Sequence, residues 1–168
     1  PRPQGDWAVT GADGRPPRVV RSFRPALEDL EAHNRHLQAK FAEITAREVR
    51  WAGEHLDGAE LVIVAYGTAA RVARTAIARA RDDGLRAGLF RPITLWPFPS
   101  AALAEAAASA RGVLVVELSA GQMVEDVRLA IEGRTPVAFE GRTGGMVPTP
   151  REVLGALRRL RAATSEGA

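Results

Sequence analysis

The sequence predicts an α/β fold, a three-layer α/β/α sandwich around a mostly parallel sheet of about five strands, preceded by an N-terminal arm and a long helix. Three observations carry the prediction. Leu61–Ala65 is a run of five apolar residues, too continuous for a strand with one wet face and suited to one buried on both. Strand-like and helix-like segments then alternate four times, the order that right-handed crossovers turn into a parallel sheet. Turn-forming glycines and prolines separate the segments at the intervals such units need.

The central stretch is ELVIVAYGTAAR, Glu60 to Arg71. Gly67 permits a sharp turn after the strand, and Thr68 is expected to accept a hydrogen bond from a free amide of a helix starting at Ala69. That helix runs to Asp82, with Val72, Ala76, Ile77 and Ala80 on its covered face, and Asp82-Asp83-Gly84 ends it. Arg86–Pro92 reads as the second strand. Its exit, RPITLWPFP, holds three prolines and two large aromatics, which make a stiff apolar loop. A helix from Pro99 or Ser100 to about Ala110, a strand over Gly112–Leu118, a helix from Gly121 or Gln122 to Glu132 and a strand over Val137–Glu140 follow. Thr149-Pro150-Arg151-Glu152 is a capping box with proline at the first helical position. The last helix therefore starts there and runs to about Arg161, leaving a frayed tail over Thr164–Ala168.

The segment ahead of this body divides differently. Residues 1–58 are expected to form the arm, the long helix and a possible edge strand, and residues 59–168 the α/β domain. In the arm, Trp7, Val9, Val19, Val20 and Phe23 are the candidate anchors on a neighbouring surface. Pro25 suits the first position of the long helix, with Glu28, Asp29 and Glu31 near its amino end. Leu27, Leu30, Leu37, Phe41 and Ile44 follow 3-4 spacing, with Asn34 in one of the expected apolar places. The stripe packs either on its own sheet or on another subunit, where Asn34 sets register; a homodimer is one such arrangement. His33 and His36 lie one turn apart, but no third ligand has metal-site spacing. Val49-Arg50-Trp51 is either a short antiparallel edge strand or the helix end, and His55-Leu56-Asp57-Gly58 is a turn.

Composition sets limits on function. With 168 residues and 46% hydrophobic content, there is material for one core but not for two full domains. The chain has no cysteine, so it can hold neither a disulfide nor a thiolate-bound cluster; a reducing cytoplasm is the expected location. No run has membrane-span length. Opening at Pro1 in PRPQGDW, the sequence reads as a piece of a longer polypeptide. The pI is about 10.4. Yet 23 basic residues face 20 acidic ones, all the basic ones but Lys40 are arginine, and no basic run alternates with aromatics, so no nucleic-acid surface is expected.

Function is to be sought at the carboxyl ends of the strands, where ligands and partners meet open parallel sheets. YGTAAR is not a dinucleotide fingerprint, and no P-loop, nucleophile elbow or triad spacing occurs. No catalytic residue and no metal ligand are expected. Arg71, in the first turn of its helix, is electrostatically disfavoured there and calls for a carboxylate or a bound anion. Arg91 and Glu117 end neighbouring strands if those strands flank the first; an ion pair between them is the simpler expectation, a ligand contact the alternative. Gly121, Gln122, Gly144 and Gly145 offer close backbone approach at the same rim.

VIVAYGTAARVA, LFRPITLWPFP, VLVVELSAGQMVEDVRLAI and GRTGGMVPTP together resemble domain II of the α-type subunit of 2-oxoacid:ferredoxin oxidoreductases of the branched-chain and 2-oxoglutarate type, a domain similar to the transketolase carboxyl-terminal domain. The match runs from about Glu48 to Leu157. The resemblance implies a parent enzyme that oxidatively decarboxylates a 2-oxoacid to an acyl-CoA with thiamine diphosphate, magnesium, iron–sulfur clusters and coenzyme A, passing electrons to ferredoxin. The thiamine-binding GDG…N motif is absent from this chain, so the resemblance implies a supporting, subunit-interface role and no cofactor held here. Tyr66, Gly67, Thr68, Arg71, Arg91, Glu117, Gln122, Gly144 and Gly145 are the candidate rim or interface residues. Two other readings stay open: a stand-alone anion- or nucleotide-binding regulatory domain, and a purely structural oligomerisation module.

Overall fold

The computed structural model describes residues 5, 8, 11, 13–17, 19 and 22–165. It divides into two compact units, Pro1–Glu43 and Ile44–Ala168. In the first, Trp7, Val9 and Val20 lie outside the described residues, while Val19 and Phe23 are exposed. Helix α1, Leu27–Glu48, starts two residues after Pro25 because the Ala26 carbonyl accepts its first hydrogen bond, from the Leu30 amide at 3.1 Å. None of its residues is buried, and the His33 and His36 rings stack with centroids 6.5 Å apart.

The second unit holds one five-stranded sheet of order β1-β3-β2-β4-β5: β1 Trp51–Glu54, β2 Leu61–Ala65, β3 Ala87–Pro92, β4 Gly112–Glu117 and β5 Val137–Gly141. β1 pairs antiparallel with β3, which settles the Val49-Arg50-Trp51 alternatives in favour of an edge strand, a residue or two later than the alternation suggested; the other pairs are parallel. The sheet thus reaches back to Trp51, ahead of Ala59.

β2 is the middle strand, and all five of its residues are 0% exposed. Leu61, Ile63 and Ala65 face one core with helices α2 (Gly67–Asp82) and α5 (Pro150–Ser165). Val62 and Val64 face the other, with α3 (Ser100–Ala107) and α4 (Met123–Ile131). Two faces covered by two helices each make the predicted α/β/α sandwich. Each fully buried Val, Leu or Ile is worth roughly 1.5–3 kcal/mol, so these strands outweigh any local preference elsewhere in the unit.

The helix ends correct several expectations. α2 begins at Gly67, two residues early: Gly67 turns at φ 56°, which lets the Tyr66 carbonyl accept from the Ala70 amide at 3.2 Å and leaves Thr68 too far inside to cap. α3 stops at Ala107 and α4 at Ile131, where Glu132 takes the left-handed φ of 52°. The capping box forms as read. Thr149 N donates to Glu152 Oε2 at 2.6 Å, and Glu152 N donates to Thr149 Oγ1 at 3.3 Å. α5 runs on to Ser165 instead of fraying after Arg161, because Arg111 Nη2 donates to the Thr164 carbonyl at 2.7 Å and Ser165 Oγ at 3.2 Å.

Gly88 in β3 has no room for a side chain, since a Cβ there would stand 2.5 Å from the His55 carbonyl oxygen. Gly88→Ala is expected to lower unfolding free energy by about 1–3 kcal/mol in chemical denaturation, by overpacking against backbone. Thr149→Ala should cost about 1 kcal/mol, through the lost cap.

Candidate functional site

The strand order brings the carboxyl ends of β3, β2, β4 and β5 side by side along one edge. The chain leaves β2 towards β3 and later returns to the other side of β2 as β4, so the switch point lies between the carboxyl ends of β2 and β4. All nine candidate residues lie along this rim. They do not form one site.

Period two divides them between the faces of the sheet. Leu89 of β3 and Leu114 and Val116 of β4 belong to the α2/α5 core, and Arg91 continues the Leu89 side. Val113 and Val115 belong to the α3/α4 core, and Glu117 continues their side. The expected Arg91–Glu117 ion pair is therefore absent: the strands do flank β2, but the two side chains leave opposite faces.

Glu117, 1% exposed, is committed to its own chain. Its Oε2 accepts from Gln122 N at 3.2 Å and Met123 N at 2.9 Å, and its Oε1 from Val124 N at 2.9 Å. Ser119 Oγ donates the carboxylate's fourth bond, the third to Oε2, at 3.0 Å and accepts in turn from Gly121 N at 3.2 Å. A buried carboxylate at the positive end of a helix dipole is thus satisfied by the free amides that a bound anion would otherwise use. Gln122, exposed, contributes its backbone and not its side chain. Nearby, burial first and the Glu117 charge second push the Asp126 carboxyl above its ordinary pKa.

The β2 end is different. Tyr66 is half-buried against the α3/α4 core, while Gly67, Thr68 and Arg71 are exposed, and no side chain caps α2. Among the described residues, no carboxylate lies within ion-pair reach of Arg71, so the carboxylate partner expected for it is not found. One turn further along the same helix, Arg74 donates to both carboxylate oxygens of Glu54 of β1, its Nε lying 2.8 and 2.9 Å from them. That grip is the main reason the Glu54 carboxyl sits below its usual pKa, with a smaller contribution from the Arg91 charge. Arg91 itself is part-buried, and its Nε has no hydrogen-bond partner.

At the β5 end, Gly144 and Gly145 turn at φ 64° and 81° with nothing near enough to crowd a side chain, so backbone conformation alone requires them. Arg142 ties their loop to α5 through Glu152 at 2.8 Å. In the RPITLWPFP loop, Pro97 and Pro99 are buried and Phe98 packs on the α3/α4 core. The loop is held to the start of β1 by the amides of Ile93 and Thr94, both donating to the Arg50 carbonyl at 2.9 and 3.1 Å. Ile93, Leu95, Leu118, Met146 and Val147 are 43–54% exposed around the rim. Among the described residues no group of three or more His, Asp or Glu side chains is placed to hold a metal ion, His33 and His36 included. None of the helices described is long and apolar enough to cross a membrane.

Sequence reasoning missed the role of Ser119, the Glu54–Arg74 pair and the exposed Leu118, Met146 and Val147. A signal for the first existed: an acidic residue closing an apolar strand, with serine two residues on and helix pattern starting at Met123, is the spacing of a carboxylate folding back onto helix amides.

The fold and its switch-point rim define a doubly wound α/β domain that carries its own carboxylate at one helix start and leaves the other open. The chain belongs to the family of the pyruvate:ferredoxin oxidoreductase core domain II, whose model matches residues 59–153. It is 41% identical to the ketoisovalerate oxidoreductase subunit VorB of Methanothermobacter thermautotrophicus over 98% of this chain and 47% of that protein. It is 39% identical to the 2-oxoglutarate synthase subunit KorA of Methanothermobacter marburgensis over 58% of this chain and 26% of that protein. The chain spans about half the length of the VorB relatives it matches. Among solved structures, the 2-oxoglutarate:ferredoxin oxidoreductase from Magnetococcus marinus, with 2-oxoglutarate, coenzyme A and succinyl-CoA bound, shares the fold with a TM-score of 0.70 at 22% identity over 82% of this chain and 24% of that one. A split-gene transketolase, an inactive β4 tetramer, matches with a TM-score of 0.56 at 21% identity over 67% of this chain and 41% of that one.

Glu117→Gln keeps the shape but loses the charge that three amides and Ser119 face, and should cost about 1.5–3 kcal/mol of unfolding free energy by denaturant titration. For Glu54, a folded pKa below the unfolded value gives stability that is present above about pH 4.3 and lost as pH falls through the folded value. Melting temperature between about pH 6 and 3 should therefore fall less steeply in Glu54→Gln than in the wild type.

Proposed function

We propose that this chain is a non-catalytic supporting and subunit-interface domain of a 2-oxoacid:ferredoxin oxidoreductase, whose parent assembly oxidatively decarboxylates a 2-oxoacid to an acyl-CoA. The observation that carries the reading is the rim itself: five large apolar side chains stand exposed where an α/β domain of this kind meets its ligands or partners. A stiff, anchored loop presents two of them, Ile93 and Leu95, and the buried carboxylate of Glu117 fills the start of α4. Such a surface suits docking better than turnover.

On this reading thiamine diphosphate, magnesium and the iron–sulfur clusters are held by other domains or subunits of the assembly, where coenzyme A, the 2-oxoacid and ferredoxin also engage, and the chain works in the cytoplasm. The nine rim residues serve contact with those domains. Pairing of α1 stripes through Leu27, Leu30 and Leu37 is the form a homodimer takes, and Leu37→Asp should abolish any concentration-dependent association that α1 mediates.

The test is direct. The purified 168-residue chain, supplied with branched-chain 2-oxoacids or 2-oxoglutarate, thiamine diphosphate, magnesium, coenzyme A and ferredoxin or a dye acceptor, is expected to reduce no acceptor. Adding the remaining domains and subunits of the assembly should give acyl-CoA formation that depends on this chain. Turnover by the chain alone would refute the reading.

A further inference from the structure

Three arginines and one carboxylate share a single corner of the rim. Arg71 and Arg74 are three residues apart on α2 and so occupy one side of that helix. Arg74 is bonded to Glu54, which pairs with Leu89 in the antiparallel β1–β3 ladder, and Arg91 pairs with Ala52 two residues along the same ladder. Glu54 and Arg91 therefore leave the sheet on one face, the face that α2 covers. Glu54 is bonded to Arg74 and acts on Arg91 only through its longer-range charge, and among the described residues no acidic oxygen lies in ion-pair reach of Arg71 or Arg91. Elsewhere in this unit Arg111 is matched to Glu60, Arg142 to Glu152, Arg158 to Asp83 and Arg159 to Glu140.

Arg91 is the more telling of the two, because its Nε is out of contact with solvent and has no acceptor. A guanidinium with a buried, unmet donor costs free energy that a carboxylate supplied from outside would recover. Exposed Ile93 and Leu95 adjoin Arg91 along the chain, one and three residues past the strand end. A corner of two unmatched arginines set beside apolar side chains has the make-up of a protein contact, in which arginines anchor and the apolar residues exclude water.

We infer that Arg71 and Arg91 form the electrostatic anchor of a docking surface for an acidic patch on the companion polypeptide, with Ile93 and Leu95 as its apolar border. The inference rests on the supporting-domain reading and names the chemistry of the partner's surface: at least two Asp or Glu carboxylates beside an apolar area. Charge complementarity of this kind acts chiefly on encounter rate and selectivity, and is weakened by salt.

The experiment measures association of the full 168-residue chain with the thiamine-motif polypeptide encoded in the same genome, by surface plasmon resonance at low and high sodium chloride. Wild type is expected to bind more weakly as salt rises. Arg71→Glu, an exposed change, and Arg91→Glu should each weaken binding by about tenfold or more, while Arg71→Lys retains most of it; circular dichroism and melting temperature establish that each variant is folded. No binding by the wild type would overturn the supporting-domain reading, and this inference with it. Binding by both Glu variants as tight and as salt-dependent as wild type would overturn the inference alone. A rise in melting temperature with millimolar pyrophosphate that Arg71→Glu abolishes would assign the corner to a small anion, and would also overturn it.

Discussion

Removal of β2 from water on both faces is the constraint on which the rest of the sheet unit depends. Leu61–Ala65 has no polar residue to offer solvent, so the strand is stable only with a neighbour on each side and helices above and below. Satisfying it requires β3 and β4 as flanking strands, α2 and α5 on one face and α3 and α4 on the other. The reversal of direction on either side of β2 then follows, and it puts the turn after Ala65 beside the turn after Glu117. The position of the rim is thus a consequence of core burial, settled before any functional residue is considered.

Within that rim, chemistry is unevenly distributed. On the α3/α4 face the fold consumes its own polar groups: Glu117 takes the first amides of α4, and Ser119 closes the turn. On the α2 face the helix starts on a left-handed glycine with no cap, and among the described residues no acidic oxygen lies in ion-pair reach of Arg71 or Arg91. The one edge therefore has a self-contained half and an open half. The chain that carries this rim belongs to the core domain II family and spans about half the length of the VorB relatives it matches.

Much of this was legible from the residues. The unbroken apolar run placed β2 in the centre, alternation of segments gave the parallel order, and the Thr149–Glu152 box fixed the start of α5 through two reciprocal bonds. What escaped were relations set by direction rather than by spacing. Arg91 and Glu117 both end strands next to β2, yet each strand's phase decides which face the side chain leaves, and the two phases differ. Thr68 has the chemistry of a cap, but the left-handed turn at Gly67 starts the helix ahead of it. The Glu54–Arg74 pair joins residues 20 positions apart through an antiparallel edge whose register no local pattern reveals.

Amide hydrogen exchange on the full chain tests the organising role of β2 most directly. Leu61–Ala65 should exchange among the slowest amides of the molecule, opening only with global unfolding, while the amides of Gly67 and Thr68 at the uncapped start of α2 exchange orders of magnitude faster. Rapid, locally controlled exchange across Leu61–Ala65 would contradict the account, because a strand that opens by itself cannot be what holds the two layers and their rim in place.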